Sequence, residues 1–367
     1  MAIQILKNLL KKRLLPLWIT ILVVFCVPIL VDDPFWLNKF SGYICLGILA
    51  IALSLSWGYG GILNLGQAMS FGLGSYCMAM YLKLRTDAVH TGSGGLPDFM
   101  VWNNVETLPW IWEPFHWLLP TIVLGVFGPA ILAYLIGSFV FGGRVTGVFV
   151  AIITLAALVV VNLLVIDQQY VTGGFNGITD LAFLNIFGYE FDAYGASSYY
   201  LAFGGLVLSL ITATWFINSR TGVITQAIRD DENRVRYLGF NVSMYQCVVM
   251  ALSAAIAGVG GMIYTVVMEF ASPTFLDVKI SLAVVIWCAV GGRHSVLGCF
   301  WGAVLINGIQ GSLSETEIFL ETWTLLMGLI FILVVLFLPK GLAGLGDSLV
   351  ERFLKRDVET TGTGGLR

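Results

Sequence analysis

Ten stretches of this chain are each apolar over roughly the length a helix needs to cross a bilayer, about 20 residues. They run approximately 14–31, 40–57, 66–82, 117–141, 145–166, 199–217, 244–268, 278–291, 295–312 and 322–338. In hydrocarbon the backbone must satisfy its own N–H and C=O groups, so continuous apolar runs of this kind fold as helices. The expected fold is all-α, a polytopic integral membrane protein of about ten transmembrane helices. Composition agrees: of 367 residues, 58% are hydrophobic and 11% charged, against about 25% charged in a soluble domain. A soluble enzyme, a disordered chain and a nucleic-acid-binding protein are excluded on this ground. The 42 glycines suit close helix–helix approach in a membrane.

Placement of charge orients the spans. Lys7, Lys11, Lys12 and Arg13 precede the first apolar run, as in a signal peptide, but Ile29-Leu30-Val31 lacks a small-x-small cleavage pattern, so the run reads as an uncleaved span. With the N-terminus in the cytoplasm and ten alternating spans, Lys39, Lys83, Arg85 and Lys279 face outward, and the other 15 of the 19 basic residues stay inside. That bias predicts that both termini are cytoplasmic. The resulting division is a cytoplasmic N-terminus over 1–13, a transmembrane body over 14–338 and a cytoplasmic tail over 339–367. External loops cover 83–116 and 167–198, and a cytoplasmic loop covers 218–243. The Thr/Gly-rich end of the tail, 357–367, is expected to be disordered.

All 22 acidic residues lie in loops or at span boundaries, Glu269 and Asp277 being nearest the membrane. Intramembrane carboxylates are the usual coupling groups of proton-driven carriers, so their absence points toward a neutral or zwitterionic solute. No GxxxxGK[ST] loop occurs in the sequence, so any ATP hydrolysis belongs to another subunit. The six cysteines sit inside apolar runs without metal-like spacing and read as buried free thiols. His90, His116 and His294 are scattered, giving no support to metal chemistry.

The most charged part of the chain is the loop over 218–239. Thr221 suits a helix N-cap and Gly239 a C-terminal stop. Ile224, Ala227, Ile228, Val235 and Leu238 recur at helical spacing and leave Arg229, Asp230, Glu232, Asn233 and Arg236 for a polar face. One amphipathic helix on the membrane surface, presenting that polar face to a partner, is the expected form. The plain alternative is a solvated loop that only obeys the positive-inside rule.

Five stretches, in order, carry a resemblance. Gly58-Tyr59-Gly60-Gly61-Ile62-Leu63-Asn64-Leu65-Gly66-Gln67-Ala68 opens the third span, and Thr146 to Ala156 opens the fifth. Gln226-Ala227-Ile228-Arg229-Asp230-Asp231-Glu232 is followed by Tyr237-Leu238-Gly239-Phe240-Asn241-Val242. Val290-Gly291-Gly292-Arg293-His294-Ser295-Val296-Leu297-Gly298 and Pro339-Lys340-Gly341-Leu342 complete the set. Together they resemble the branched-chain amino acid and urea family of ABC importer permeases, with Arg293-His294 standing where that family usually has a glycine. The resemblance covers about residues 45 to 345. It implies a permease without enzymatic activity or cofactor of its own, in a bacterial inner membrane. It further implies a second homologous permease, two cytoplasmic subunits that bind ATP and Mg, and an external substrate-binding protein. Ala227, Ile228, Arg229, Asp230, Asp231, Glu232, Leu238 and Gly239 would then form the ATPase-coupling segment.

Tyr170-Val171-Thr172-Gly173-Gly174-Phe175-Asn176-Gly177-Ile178-Thr179 and the Trp-rich external loop resemble the branch that imports urea and short-chain amides. Import of branched-chain or polar amino acids is the alternative within the family. Urea offers four N–H donors and one carbonyl acceptor, so a path for it needs amide and hydroxyl groups. Asn64 and Gln67, with Tyr59 and Asn176, are the residues expected to line that path, against the plainer reading of Asn64 and Gln67 as helix–helix hydrogen bonds. Trp102, Trp110, Trp112 and Trp117 suit either interfacial anchoring or docking of a binding protein. A passive amide channel would leave the charged loop unexplained. A structural subunit of a respiratory complex would call for paired intramembrane histidines.

Overall fold

The computed structural model describes residues 2–86, 95–186 and 188–313, positions 322, 325, 326, 328, 329, 332, 333 and 336, and residues 341–344, with side chains from Pro16 onward. Most of the expected tenth span, the N-terminal basic cluster and the Thr/Gly-rich tail lie outside the described residues or side chains. The long helices are α1 (Ala2–Leu30), α2 (Pro34–Leu53), α3 (Gln67–Lys83), α4 (Leu118–Gly142), α5 (Val148–Asp167) and α6 (Ala196–Asn218). The short α7 (Arg220–Asp230) and α8 (Glu232–Tyr237) follow, then α9 (Val242–Met268), α10 (Val278–Gly291) and α11 (Val296–Leu313). The described strands are β1 (Leu184–Ile186) and β2 (Tyr189–Phe191), an antiparallel hairpin pairing Leu184 with Phe191 in the loop before α6.

Among the described residues, five helices are long and apolar enough to cross a membrane: Pro34–Tyr59, Leu118–Gly142, Val148–Asp167, Ala196–Asn218 and Val242–Met268. α3 and α10 lie within a residue of the expected 66–82 and 278–291 and are short of a full crossing. α3 is preceded by a buried non-helical segment that supplies part of the crossing. α10 has 14 residues, about 21 Å at 1.5 Å per residue, and joins α11 through a bend of 117°. The expected eighth and ninth spans therefore form one bent pair.

Local sequence explains the boundaries. Asp33 caps α2 by accepting from Phe35 N at 3.0 Å, with Pro34 in the first turn. Asn241 caps α9, and Asp277 caps α10 by accepting from Lys279 N. Continuing from α2, Ser54–Tyr59 is π-helical, and Gly60 N bonds Leu55 O in the wider ladder.

α2 and α9 form the centre. The apolar window of α2 is 78% buried, against 22% for α4 and 28% for α5, which lie at the rim. α9 packs on α4, α3, α2 and α6. Small residues permit this: a β-carbon at Gly258 would strike the Gly125 carbonyl, and one at Gly74 would strike the Gly258 backbone. Three helix backbones thus meet around one glycine, the small-residue packing that membrane helices use. α1 leans on the rim, where Tyr199 Oη donates to Val24 O at 2.7 Å and Trp301 Nε1 to Thr20 Oγ1 at 3.1 Å.

Candidate functional site

Three polar constellations interrupt this apolar body: one at the basic end of the bundle, one at depth and one at the opposite end.

At the basic end the loop after α6 folds as two helices. Ser219, not Thr221, is the N-cap of α7, its hydroxyl accepting from Gly222 N at 3.1 Å. Asp231 adopts an extended backbone that ends α7, and its carboxylate caps α8 by accepting from Arg234 N at 3.1 Å. The single helix expected over 221–239 is thus broken, because Asp231 is used as a cap. Gly239 follows the last turn with φ +89, as a stop position requires. Ile228 and Val235 are buried with Val242, and Ile224 packs against them. Ala227 and Leu238 depart from the expected apolar face: both are exposed, as is Tyr237. Glu232 pairs with Arg236, and Arg234 with Asp231.

Arg229 also departs from expectation. Instead of joining an outer polar face it turns inward, and its Nη1 donates to Gly58 O at 2.7 Å. Its stem lies on Gly61, whose φ of +70 and contact with Arg229 Cγ exclude a side chain. Its Nε and Nη2 hold Asp230 Oδ1 at 3.0 and 2.8 Å. The turn between α10 and α11 reaches the same carbonyl: His294 Nδ1 lies 3.1 Å from Gly58 O. Arg293 Nε donates to His294 Nε2 at 3.1 Å, which assigns the neutral Nδ1–H tautomer. Tyr59 Oη donates to His294 O at 2.8 Å, and Ser54 Oγ to Arg293 O at 3.2 Å. Partial burial, then the Arg293 and Arg229 guanidiniums, lower the His294 pKa, so the neutral ring is favoured. Beside the junction a cleft of about 180 Å³ is lined by Gly60, Gly61, Thr146, Arg229, Asp231, Glu232 and Gln246.

At depth, residues 61–66 are non-helical and mostly buried. Asn64 Nδ2 donates to Gln67 Oε1 at 2.9 Å, and Asn64 Oδ1 accepts from Gly66 N at 2.9 Å. Gln67 Nε2 donates to Ser253 O at 3.1 Å, while Ser253 Oγ bonds Ala52 O at 2.6 Å. Thr154 Oγ1 accepts from Leu65 N at 3.1 Å, fastening the segment to α5. Asn64 and Gln67, placed side by side, are thus tied into helix–helix bonds. Ser70 Oγ and Tyr76 Oη, further along α3, and Trp287 Nε1 are buried without a hydrogen-bond partner among the described residues. Such groups suit water or a polar solute better than satisfied ones do. Tyr59 sits at the basic end and the exposed Asn176 beyond the other end of α5, so the four expected pathway residues are not brought together.

At the opposite end Lys83, 2% exposed, closes α3. Its Nζ meets Asp98 Oδ1 at 2.9 Å, Thr179 O at 3.0 Å, Asp180 O at 3.3 Å and Asp180 Oδ2 at 3.6 Å. Trp112 is fully buried and its Nε1 donates to Val171 O at 3.1 Å, whereas Trp102, Trp110 and Trp117 are exposed. Ile178 pairs with Ala271, and Asn162 Nδ2 holds Leu276 O at 2.9 Å. Glu269, in the left-handed region with φ +59, has its pKa raised by burial and by Asp192. The sequence reading missed the inward turn of Arg229, the Lys83 clamp and the buried member of the tryptophan set. The only signals were the unusual Arg293-His294 pair and a lone lysine ending an apolar run.

A multi-pass bundle with a charged surface segment keyed to a broken span defines a membrane permease rather than an enzyme. Comparison with known proteins agrees. The chain belongs to the family described as the branched-chain amino acid transport system / permease component, which matches residues 37–335. It is accordingly a multi-pass inner-membrane protein. It is 28% identical over 224 residues to the high-affinity branched-chain amino acid transport system permease protein LivM of Salmonella typhimurium, covering 54% of this chain and 51% of that one. The LivM of Escherichia coli is 27% identical over the same length. A probable branched-chain amino acid transport permease protein LivM of Methanocaldococcus jannaschii is 22% identical over 86% of this chain and 95% of its own. The chain spans about half the length of the first two relatives it matches. No solved structure matches it.

Proposed function

We propose that this chain is one half of the membrane pathway of an ATP-driven ABC importer for urea and short-chain amides. The observation that carries the permease reading is the α7–α8 segment: it presents Tyr237 and Leu238 outward, with Asp231 and Glu232 half-buried along the cleft, while Arg229 roots it in the bundle. Two cytoplasmic ATPases would dock there, bind ATP and Mg, and close on each other. The pathway would run between this chain and a second homologous permease, with an external binding protein delivering the solute to the Lys83 end. The bias of basic residues supports placing the α7–α8 end in the cytoplasm and the Lys83 end outside.

Urea is supported by resemblance of the Tyr170–Thr179 loop and by Ser70 Oγ and Tyr76 Oη, neutral hydroxyls buried without a partner among the described residues. The second reading, a branched-chain amino acid cargo, is favoured by the names of the relatives. Radiolabelled urea and leucine uptake in cells lacking this chain, with and without re-expression, tests both. Restored urea uptake that disappears on ATP depletion supports the first reading, and restored leucine uptake with urea unchanged replaces it by the second. Uptake by the chain alone in ATP-free liposomes would overturn the importer reading in favour of a passive channel. Asp231→Arg combined with Glu232→Arg is expected to abolish uptake while leaving membrane insertion intact, checked by membrane fractionation beside the uptake assay.

A further inference from the structure

The α7–α8 segment is attached to the bundle in two ways that differ in kind. Ile228 and Val235 rest on Val242 as ordinary apolar packing, which tolerates sliding. Arg229, by contrast, makes a directed bond to a single backbone atom, Gly58 O, and lays its stem across Gly61. The same oxygen takes His294 Nδ1 from the α10–α11 turn, so three segments distant in sequence are pinned at one point. That point is placed where α2 gives way to the non-helical run 61–66. A β-carbon at Gly58 would strike Arg293 O, so the carbonyl and the turn are in contact without room for adjustment. Beyond the pin, the run is fixed to α5 through Thr154 and to α9 through Asn64, Gln67 and Ser253.

We infer that Arg229 and His294, by sharing the Gly58 carbonyl, are the positioning pair that carries movement of the α7–α8 segment into the buried break at 61–66. The inference rests on the permease reading above and deepens it. A pull on α7 moves Gly58 and Gly61 together, because Arg229 holds both. The α10–α11 turn must follow, because His294 holds the same oxygen. Motion is thereby delivered to a segment that leaves the helical ladder after Gly61 N bonds Trp57 O and Ile62 N bonds Ser56 O, where the span is not held by continuous helical bonds. Protonating His294 removes the acceptor that Arg293 uses and sets a third positive charge beside two guanidiniums. Arg229 and Asp230 face the ring from α7, Arg293 from the turn, and Tyr59 from the end of α2.

The test uses the complete importer, purified with its ATPase subunits and reconstituted in proteoliposomes, with urea and leucine as the probes. Uptake per ATP hydrolysed is the readout, since a purely structural defect lowers both quantities together. His294→Ala is expected to keep hydrolysis within about twofold and lower uptake per ATP about tenfold, the size of a typical coupling between sites. His294→Gln, whose amide can still donate to Gly58 O, should restore most of the coupling, and Arg229→Lys should fall between. In the wild type, acidification from about pH 7.5 to about pH 5 should lower uptake per ATP, because it spans the histidine range; His294→Gln should flatten that response. Unchanged coupling in His294→Ala, or a parallel fall of uptake and hydrolysis, overturns the inference. If the variants do not insert, a wild-type coupling ratio that stays level with pH overturns it by itself. A wild type with no ATP-dependent uptake of either probe sinks the permease reading, and the pair's role with it.

Discussion

At one end of the bundle Lys83 is 2% exposed and meets four oxygens from two loops, whereas at the basic end Arg229 is 26% exposed and holds Gly58 O and Asp230. Both are single cations that tie a loop to a span. They differ in what surrounds them. Lys83 is desolvated, so its partners offset the cost of burying its charge, while the Asp98 and Asp180 carboxylates, 40% and 71% exposed, keep contact with water. Arg229 keeps contact with water, which screens its pairing with Asp230 and leaves the bond to the carbonyl as its main directed interaction. The Lys83 end is clamped around the α3 terminus by several bonds, and the basic end is held to Gly58 by one directed bond.

Substitutions can break or sharpen that contrast. Lys83→Met should be the most damaging, costing about 3 kcal/mol through loss of the charge-assisted bonds to Asp98, Thr179 and Asp180, measured as thermal unfolding in detergent. Midway along the bundle, Gln67→Ala should cost about 2 kcal/mol by stranding Asn64 Nδ2, read in the same assay. Arg229→Ala should cost only about 1 kcal/mol, the worth of one partly exposed hydrogen bond. Equal losses for Lys83→Met and Arg229→Ala would dissolve the distinction between a fixed and an adjustable end. Smallest is Glu269→Gln, within about 0.5 kcal/mol. Its direction follows from the raised pKa: the folded state favours the protonated carboxyl, so stability is present at low pH and lost as pH rises through the raised value. The glutamine should therefore stabilise the protein at neutral pH and make little difference in acid. A stabilisation that is largest in acid would show the carboxylate to be favoured instead.

The histidine sign runs the other way. With its pKa lowered, His294 contributes stability that is complete above the ordinary histidine range and is lost as pH falls through that range. Hydrogen exchange over 57–62, corrected for intrinsic pH dependence, should report a looser junction in acid and an unchanged one in His294→Gln.

Much of this was legible from the chain alone. Helical spans, the charged surface segment and Gly239 as a stop follow from apolar run length, charge placement and glycine spacing, which act locally. Asp231 as a cap was not legible, because whether a helix breaks at an acidic residue depends on what each half packs against. The bend of 117° between α10 and α11 was not legible for a similar reason: hydropathy counts residues and does not see the turn between them.

The candidate site divides along the same line. That residues 226–239 form a charged surface segment is written in their amphipathic spacing and charge. That Arg229 leaves that face for Gly58 O, that His294 joins it from 65 residues away, and that Asn64 and Gln67 are spent on each other and on Ser253 required the assembled bundle. Sequence by itself determined that the chain lives in a membrane and where it carries a charged surface segment, since transfer from water to hydrocarbon is decided residue by residue. Only the tertiary structure decided which polar groups are bound and which are left unpaired at depth, because a hydrogen bond depends on two groups whose distance no local pattern records.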